Sequence, residues 1–135
     1  MANDNPLILC IDDDADFTDS VRLVLENNGY AMEEAGSAEE GLRIYKKRKP
    51  DAILVDLMME EVDAGVNFVK EVRALGAAPP VFMLSSVGDD LAASTDYTAL
   101  GLDGVLQKPV SPERLLKTLG RKVKATRGEA DKNRV

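Results

Sequence analysis

Four apolar runs in this chain end on polar groups that can do chemistry. Leu7-Ile8-Leu9-Cys10-Ile11 runs into Asp12-Asp13-Asp14, and Ala52-Ile53-Leu54-Val55 into Asp56. Val81-Phe82-Met83-Leu84 runs into Ser85-Ser86, and Val105-Leu106-Gln107 into Lys108-Pro109. If each run is a parallel strand, carboxylates, hydroxyls and one ammonium gather along a single sheet edge. Carboxylates held together repel, by roughly 4 kcal/mol for two unit charges about 4 Å apart at an effective dielectric near 20. A magnesium ion (or manganese) relieves this repulsion. It takes oxygen ligands in an octahedron at about 2.0–2.1 Å and leaves room for waters and phosphate oxygens. Asp13 and Asp56 are the first candidate ligands, with Asp12 joining directly or through water and the Met58 carbonyl added from the following loop. Lys108 supplies a compact positive charge that pairs with Asp56 at rest and with a phosphoryl oxygen later. Asp56 is then the nucleophile, since a carboxylate needs no general base and phosphoryl transfer asks mainly for in-line positioning and neutralised charge. Ser85 offers its hydroxyl to the incoming phosphoryl oxygen. Each residue alone has a blander reading: a solvated loop, a helix cap, a turn. What raises the set above that is its placement, with all four sites at strand ends and none inside a helix.

The elements that must position these groups alternate, strand then helix, five times along the chain, the pattern of a parallel α/β sheet. The first helix follows Asp14 with Phe17, Val21, Val24 and Leu25 on one stripe. The second opens on a capping box, Ser37-Ala38-Glu39-Glu40, and carries Leu42 and Tyr45 on one side. The third shows Phe68, Val69, Val72 and Leu75 and stops at Gly76. A weaker fourth helix covers about Asp90 to Leu100, and the last begins at Ser111-Pro112 with Leu115, Leu116, Leu119 and Val123 as its stripe. The runs ending at Ile11, Val55 and Leu84 are apolar on both faces, as central strands are. Tyr30-Ala31-Met32-Glu33-Glu34 is mixed and the run ending at Gln107 is short, so both read as edges. Right-handed crossovers then give a doubly wound sheet of order 2-1-3-4-5, with ligands expected where strands one and three diverge.

Composition narrows the function classes. At 135 residues the chain has room for one core, and 44% hydrophobic residues suit a soluble globular protein. No apolar stretch reaches the roughly 18 residues that span a bilayer, and Met1-Ala2-Asn3-Asp4-Asn5-Pro6 lacks a basic signal segment. The expectation is a cytoplasmic protein without membrane contact. Cys10 is the single cysteine, which excludes an internal disulfide and suits a buried, reduced thiol. The absence of histidine excludes a His-based hydrolase, a His-ligated zinc site and a phosphohistidine donor within the chain. Of the net charge of −7, residues 121–135 contribute +4 and the remainder −11. An acidic body argues against direct DNA binding, which depends on Lys and Arg meeting phosphates. The domain is expected over 1–124, followed by a charged, disordered tail over 125–135.

With these motifs in place, the sequence resembles the receiver domain of bacterial two-component response regulators over about residues 6–123. The resemblance rests on Ile8-Leu9-Cys10-Ile11-Asp12-Asp13-Asp14, Ile53-Leu54-Val55-Asp56-Leu57-Met58-Met59, Val81-Phe82-Met83-Leu84-Ser85-Ser86 and Gln107-Lys108-Pro109. It implies a flavodoxin-like (βα)5 fold and phosphorylation of Asp56 by a sensor histidine kinase or phosphotransfer protein. It further implies magnesium binding at Asp12 and Asp13, a switch role for Ser85, phosphate contact by Lys108, and a cis peptide before Pro109. The protein is then a phosphoryl acceptor and not an enzyme. It acts as a stand-alone receiver or phosphorelay intermediate that presents its fourth helix, fifth strand and last helix to a downstream protein or to a second phosphorylated copy. Three features depart from the family. Val105 stands where the switch aromatic is expected, with Tyr97 as a substitute. Glu60 replaces a proline, and Asp63-Ala64-Gly65 reads as one residue inserted into an Asp-Gly turn. Met58 and Val87, each two positions after a site residue, are apolar and should position a hydrolytic water poorly, so a long-lived phosphoryl group is expected. Two other classes compete. One is a haloacid-dehalogenase-type phosphatase, with Asp12 and Asp14 as its paired acids and Gly88-Asp89-Asp90 as its late acidic motif. The other is a receiver-like interaction module that is never phosphorylated.

Overall fold

The apolar runs form parallel strands, and their neighbours in the sheet follow the inferred order. A computed structural model describes residues 5–56, 64–76, 79–85 and 102–133. In chain order the elements are β1 (Leu7–Ile11), α1 (Ala15–Glu26), β2 (Ala31–Ala35), α2 (Ala38–Lys47) and β3 (Ala52–Asp56). Then come α3 (Ala64–Ala74), β4 (Val81–Ser85), β5 (Gly104–Gln107) and a C-terminal helix (Pro112–Asn133). All strand pairs are parallel, in the order β2-β1-β3-β4-β5. The helix expected near 90–100 lies outside the described residues. No helix among the described residues is long and apolar enough to cross a membrane.

Burial on both faces explains why β1, β3 and β4 show no polar–apolar alternation. Successive side chains still point to opposite sides. Leu9, Ile11, Ile53, Val55 and Met83 join Tyr45, Phe68 and Val72 in the core beneath α2 and α3. Ile8, Cys10, Leu54, Phe82 and Leu106 join Val21 and Leu25 of α1, and Leu115 and Leu119 of the C-terminal helix, in the opposite core. Two residues beyond Cys10, Leu54 and Leu106 stand Asp12, Asp56 and Lys108, so strand periodicity alone aims all three toward the α1 side.

Helix starts follow their caps. The Asp14 carboxylate accepts from the N–H groups of Asp16 and Phe17 at 3.1 and 3.3 Å, which makes the third acid of the triplet a cap. At α2 the Ser37 hydroxyl accepts from Glu40 N–H at 3.2 Å, while the Glu40 carboxylate takes the N–H of Gly36 at 2.8 Å, one residue further out than a standard capping box. One expected core residue is not buried. Helix α3 ends at Ala74, Gly76 follows at φ +122°, and Leu75 between them is 56% exposed. The stripe therefore stops at Val72. The C-terminal helix runs to Asn133, past residue 124 where the domain was expected to end. No proline interrupts that stretch, and it is rich in residues with good helix propensity.

At the amino ends of the strands two aspartates act as clips. Asp51, just before β3, accepts the Leu7 N–H on its carboxylate at 2.8 Å and donates its own N–H to the Leu7 carbonyl at 2.7 Å. Asp103, just before β5, does the same for Val81, at 2.8 and 2.7 Å. Arg73 of α3 lies 3.4 Å from the same Asp103 carboxylate.

Helix α2 crosses β1 closely at Gly41. A Cβ placed there would stand 2.5 Å from Ile11 Cδ1 and 2.8 Å from Cγ1. Ile11 is fully buried and cannot swing aside. Gly41→Ala gains up to about 1 kcal/mol of helix propensity but overpacks this contact at a cost of about 1–3 kcal/mol. A net destabilisation is expected, read as a lower midpoint in urea with an unchanged slope.

Candidate functional site

Register brings the acids together. Ile11 lies beside Val55, so the residues that follow them, Asp12 and Asp56, are neighbours at the carboxyl ends of adjacent strands. One carboxylate oxygen from each of Asp12, Asp13 and Asp56 falls within 4.8 Å of the others. Asp12 and Asp56 are buried and Asp13 is exposed, so the cluster meets solvent on the Asp13 side. Ser85 ends β4 on the strand next to β3, is also buried, and accepts the Lys108 N–H on its carbonyl at 2.6 Å. The Lys108–Pro109 peptide is cis, as the resemblance implied.

Lys108 pairs at rest with Asp56, as expected, donating to its Oδ2, and has a closer partner besides. Its ammonium lies 2.5 Å from Asp12 Oδ2 and 3.4 Å from Asp56 Oδ2, so its principal counter-ion is Asp12. The same ammonium stands over the ring of Phe17, 4.5 Å from its centroid. Burial disfavours the charge on Lys108, but the Asp12 and Asp56 carboxylates outweigh it and hold its pKa above the ordinary lysine value. The stabilisation from this pairing is complete at neutral pH and is lost only as pH rises through that raised value.

The Asp12 oxygens differ. Oδ1 accepts the Asp14 N–H at 2.9 Å. Oδ2 is buried with no aligned hydrogen-bond donor among the described residues, held by charge alone. Three converging carboxylates, one with a buried oxygen that no hydrogen bond completes, fit a hard divalent cation and not a soft one. Met58, the expected carbonyl ligand, lies outside the described residues, as do Ser86, Val87, Tyr97 and the segment 57–63. Val105 is half-buried and packs against the core beneath α2 and α3.

The surroundings hold α1 in place. The buried Thr18 hydroxyl donates to the Ala15 carbonyl at 3.0 Å and to Glu34 at 3.1 Å, and Arg22 reaches the same Glu34 at 2.7 Å. The Arg22 hydrogen bond draws the Glu34 pKa below the usual range. That contribution is present above the ordinary carboxylate pKa and fades as pH falls through the lowered one. Cys10 sits two residues before Asp12, and burial pushes its thiol far up, with the Asp12 charge adding to the effect. Cys10 is therefore expected to resist thiol reagents at neutral pH in the native protein and to react after unfolding, as a timed titration with a chromogenic disulfide would show.

Sequence reasoning missed two parts of this arrangement. Phe17 was legible only as one member of an apolar stripe, although its place one turn after the Asp14 cap puts it beside the strand ends. Asp51 and Asp103 carried a readable signal, an aspartate one position ahead of an apolar run, that was not used. The phosphatase alternative needs the acid after β1 as its nucleophile. The Asp12 side chain has 0% exposure, with one oxygen hydrogen-bonded and the other under an ammonium, which suits a ligand and not an attacking group.

Comparison with known proteins agrees with this geometry. The model of the response regulator receiver domain matches residues 8–120. The response regulator MprA of Mycobacterium leprae is 33% identical over 109 residues, which is 81% of this chain and 47% of that protein. MprA of Mycobacterium avium is 32% identical over 124 residues, 92% of this chain and 54% of that protein. The chain thus spans about half the length of the curated relatives it matches. Among solved structures, the chemotaxis protein CheY4 of Vibrio cholerae superposes with a TM-score of 0.77 at 33% identity, covering 87% of this chain and 98% of that one. The receiver domain of the Francisella response regulator 1452 gives 0.79 at 27% identity, covering 90% and 99%.

Proposed function

Because this chain belongs to the response regulator receiver family, we propose that it takes a phosphoryl group onto Asp56 from a sensor histidine kinase or a phosphotransfer protein and passes the change on to a partner. The observation that carries the reading is the convergence of the Asp12, Asp13 and Asp56 carboxylates with the Lys108 ammonium at the ends of three strands. An oxygen of Asp56 attacks phosphorus and forms the new P–O bond. The P–N bond of the donor phosphohistidine breaks, and its electron pair stays on the imidazole. No base is needed, because the attacking group is already an anion.

Asp12, Asp13 and Asp56, with the carbonyl of Met58, are the groups that would hold magnesium or manganese, which when bound supplies positive charge to the phosphoryl oxygens. Lys108 contributes the protein's own positive charge at the same place, and its looser contact to Asp56 leaves it able to turn to a phosphoryl oxygen. Ser85, buried at the end of the neighbouring strand, donates its hydroxyl to another. That hydrogen bond exists only in the modified state, so it draws on the segment after β4 and alters the face formed with β5 and the C-terminal helix. A downstream protein, or a second phosphorylated copy, reads that face.

Incubation with acetyl phosphate and magnesium, and separately with phosphorylated candidate kinases, tests the reading. One acid-stable, hydroxylamine-labile phosphoryl group per chain is expected, and none once EDTA removes the metal. No uptake from any donor would favour the unphosphorylated interaction module instead.

A further inference from the structure

Phe17 has a place in the site that neither the family match nor the core assigns to it. It is half-buried against the core on the α1 side, yet its ring also faces the Lys108 ammonium. Two things fix that ring. The Asp14 cap receives the backbone N–H of Phe17 itself, and Thr18 and Arg22 tie the next turns of α1 to Glu34 of β2. The ammonium is thus gripped from two directions: Asp12 draws it by charge, and the ring face draws it through its quadrupole.

This grip has a consequence for ion binding. The oxygen to which Lys108 is closest, Asp12 Oδ2, belongs to the carboxylate cluster that would receive a divalent cation. Ammonium and metal ion are like charges competing for one carboxylate. Whatever stabilises Lys108 on Asp12 therefore weakens the ion's hold by the same factor, since a ligand's apparent affinity falls with the population of the competent state. We propose that Phe17 is a positioning residue: it holds Lys108 on Asp12 as an internal counter-ion, and in doing so it sets the affinity of the acidic cluster for magnesium. The inference rests on the receiver reading of the site and adds to it a residue that tunes the metal-free state.

The test is calorimetric titration of the intact chain with magnesium chloride, with no phosphodonor present. Phe17→Leu keeps an apolar side chain on the α1 stripe but removes the ring face, and Phe17→Tyr keeps the ring. Phe17→Leu is expected to bind magnesium about two- to fivefold more tightly than wild type, the worth of one partly exposed cation–π contact, with Phe17→Tyr close to wild type. In a Lys108→Met background the same Phe17→Leu change is expected to leave the affinity unaltered, because no ammonium remains to be held. Equal affinity in wild type and Phe17→Leu, weaker binding in Phe17→Leu, or a shift that persists without Lys108 would each overturn the role of Phe17 and leave the receiver reading standing. A wild-type chain that binds no magnesium would overturn both.

Discussion

Asp56→Asn is expected to abolish phosphoryl uptake while the chain stays folded. Among the three clustered acids, Asp56 is the one that combines burial with a place on the strand next to Ser85 and within reach of Lys108. Asp12 has both oxygens engaged, one by the Asp14 N–H and the other by the Lys108 ammonium. Asp13 is exposed, on the solvent side of the cluster. Asp56 closes β3, is buried, and keeps Lys108 at 3.4 Å, near enough to steady its charge. Asparagine preserves its shape but replaces an anionic oxygen with a neutral amide that is a poor nucleophile. The substitution also removes one member of a repelling set, in which each close pair costs up to roughly 4 kcal/mol before compensation. Stability should therefore be retained or improved, so loss of uptake will not reflect loss of fold. Intact-mass spectrometry after treatment with acetyl phosphate and magnesium is the measurement. Wild type gains one phosphoryl group and Asp56→Asn gains none; uptake by the variant would move the acceptor elsewhere in the cluster.

Lys108→Met produces the largest expected change in stability. It strips the counter-ion from Asp12, a carboxylate with 0% side-chain exposure. Breaking a buried ion pair from one side costs about 3–5 kcal/mol, because the remaining charge stays desolvated. Lys108 keeps 17% of its side chain in contact with solvent, which places the cost near the lower end, about 3 kcal/mol. For a chain of 135 residues each kcal/mol moves the melting temperature by about 3–5 °C, so a fall of roughly 10 °C or more is expected in metal-free buffer. Added magnesium should narrow the gap. An ion that binds only the folded chain stabilises it by about 2.7 kcal/mol at a hundred times its dissociation constant, and in the variant no ammonium contests Asp12. Differential scanning calorimetry with and without EDTA reads both effects. A melting temperature unchanged by the substitution would mean that Asp12 finds its compensation elsewhere.

The strands and the residues at their ends were legible because two strong regularities coincide. Runs such as Ala52–Val55 are buried on both faces and so are written as unbroken apolar residues, and the polar group that stops each run marks the sheet edge. Period-two geometry then fixes which side Asp12, Asp56 and Lys108 face. Leu75 was misread because apolar spacing says where a helix could continue, whereas its end is set by the backbone at Gly76, where φ is +122°. The preference of Lys108 for Asp12 over Asp56 was beyond reach for another reason. Both acids were placed near the lysine, but the choice between them depends on fractions of an ångström along one flexible side chain and on a ring from a different element. Long-range placement of this kind leaves no periodic trace in a sequence.

The clips at Asp51 and Asp103 have a consequence at the far end of the molecule. A margin where three carboxylates crowd together is poorly placed to align itself, since each acidic pair there pushes apart. Alignment must be dictated where the strands begin, and a slide of a single position would turn Asp56 out toward α2 and α3. The two aspartates work as a datum line, so that at the other end Asp12 arrives level with Asp56. Loops that follow the strands can consequently vary in length and charge without disturbing the spacing of the groups at the strand ends.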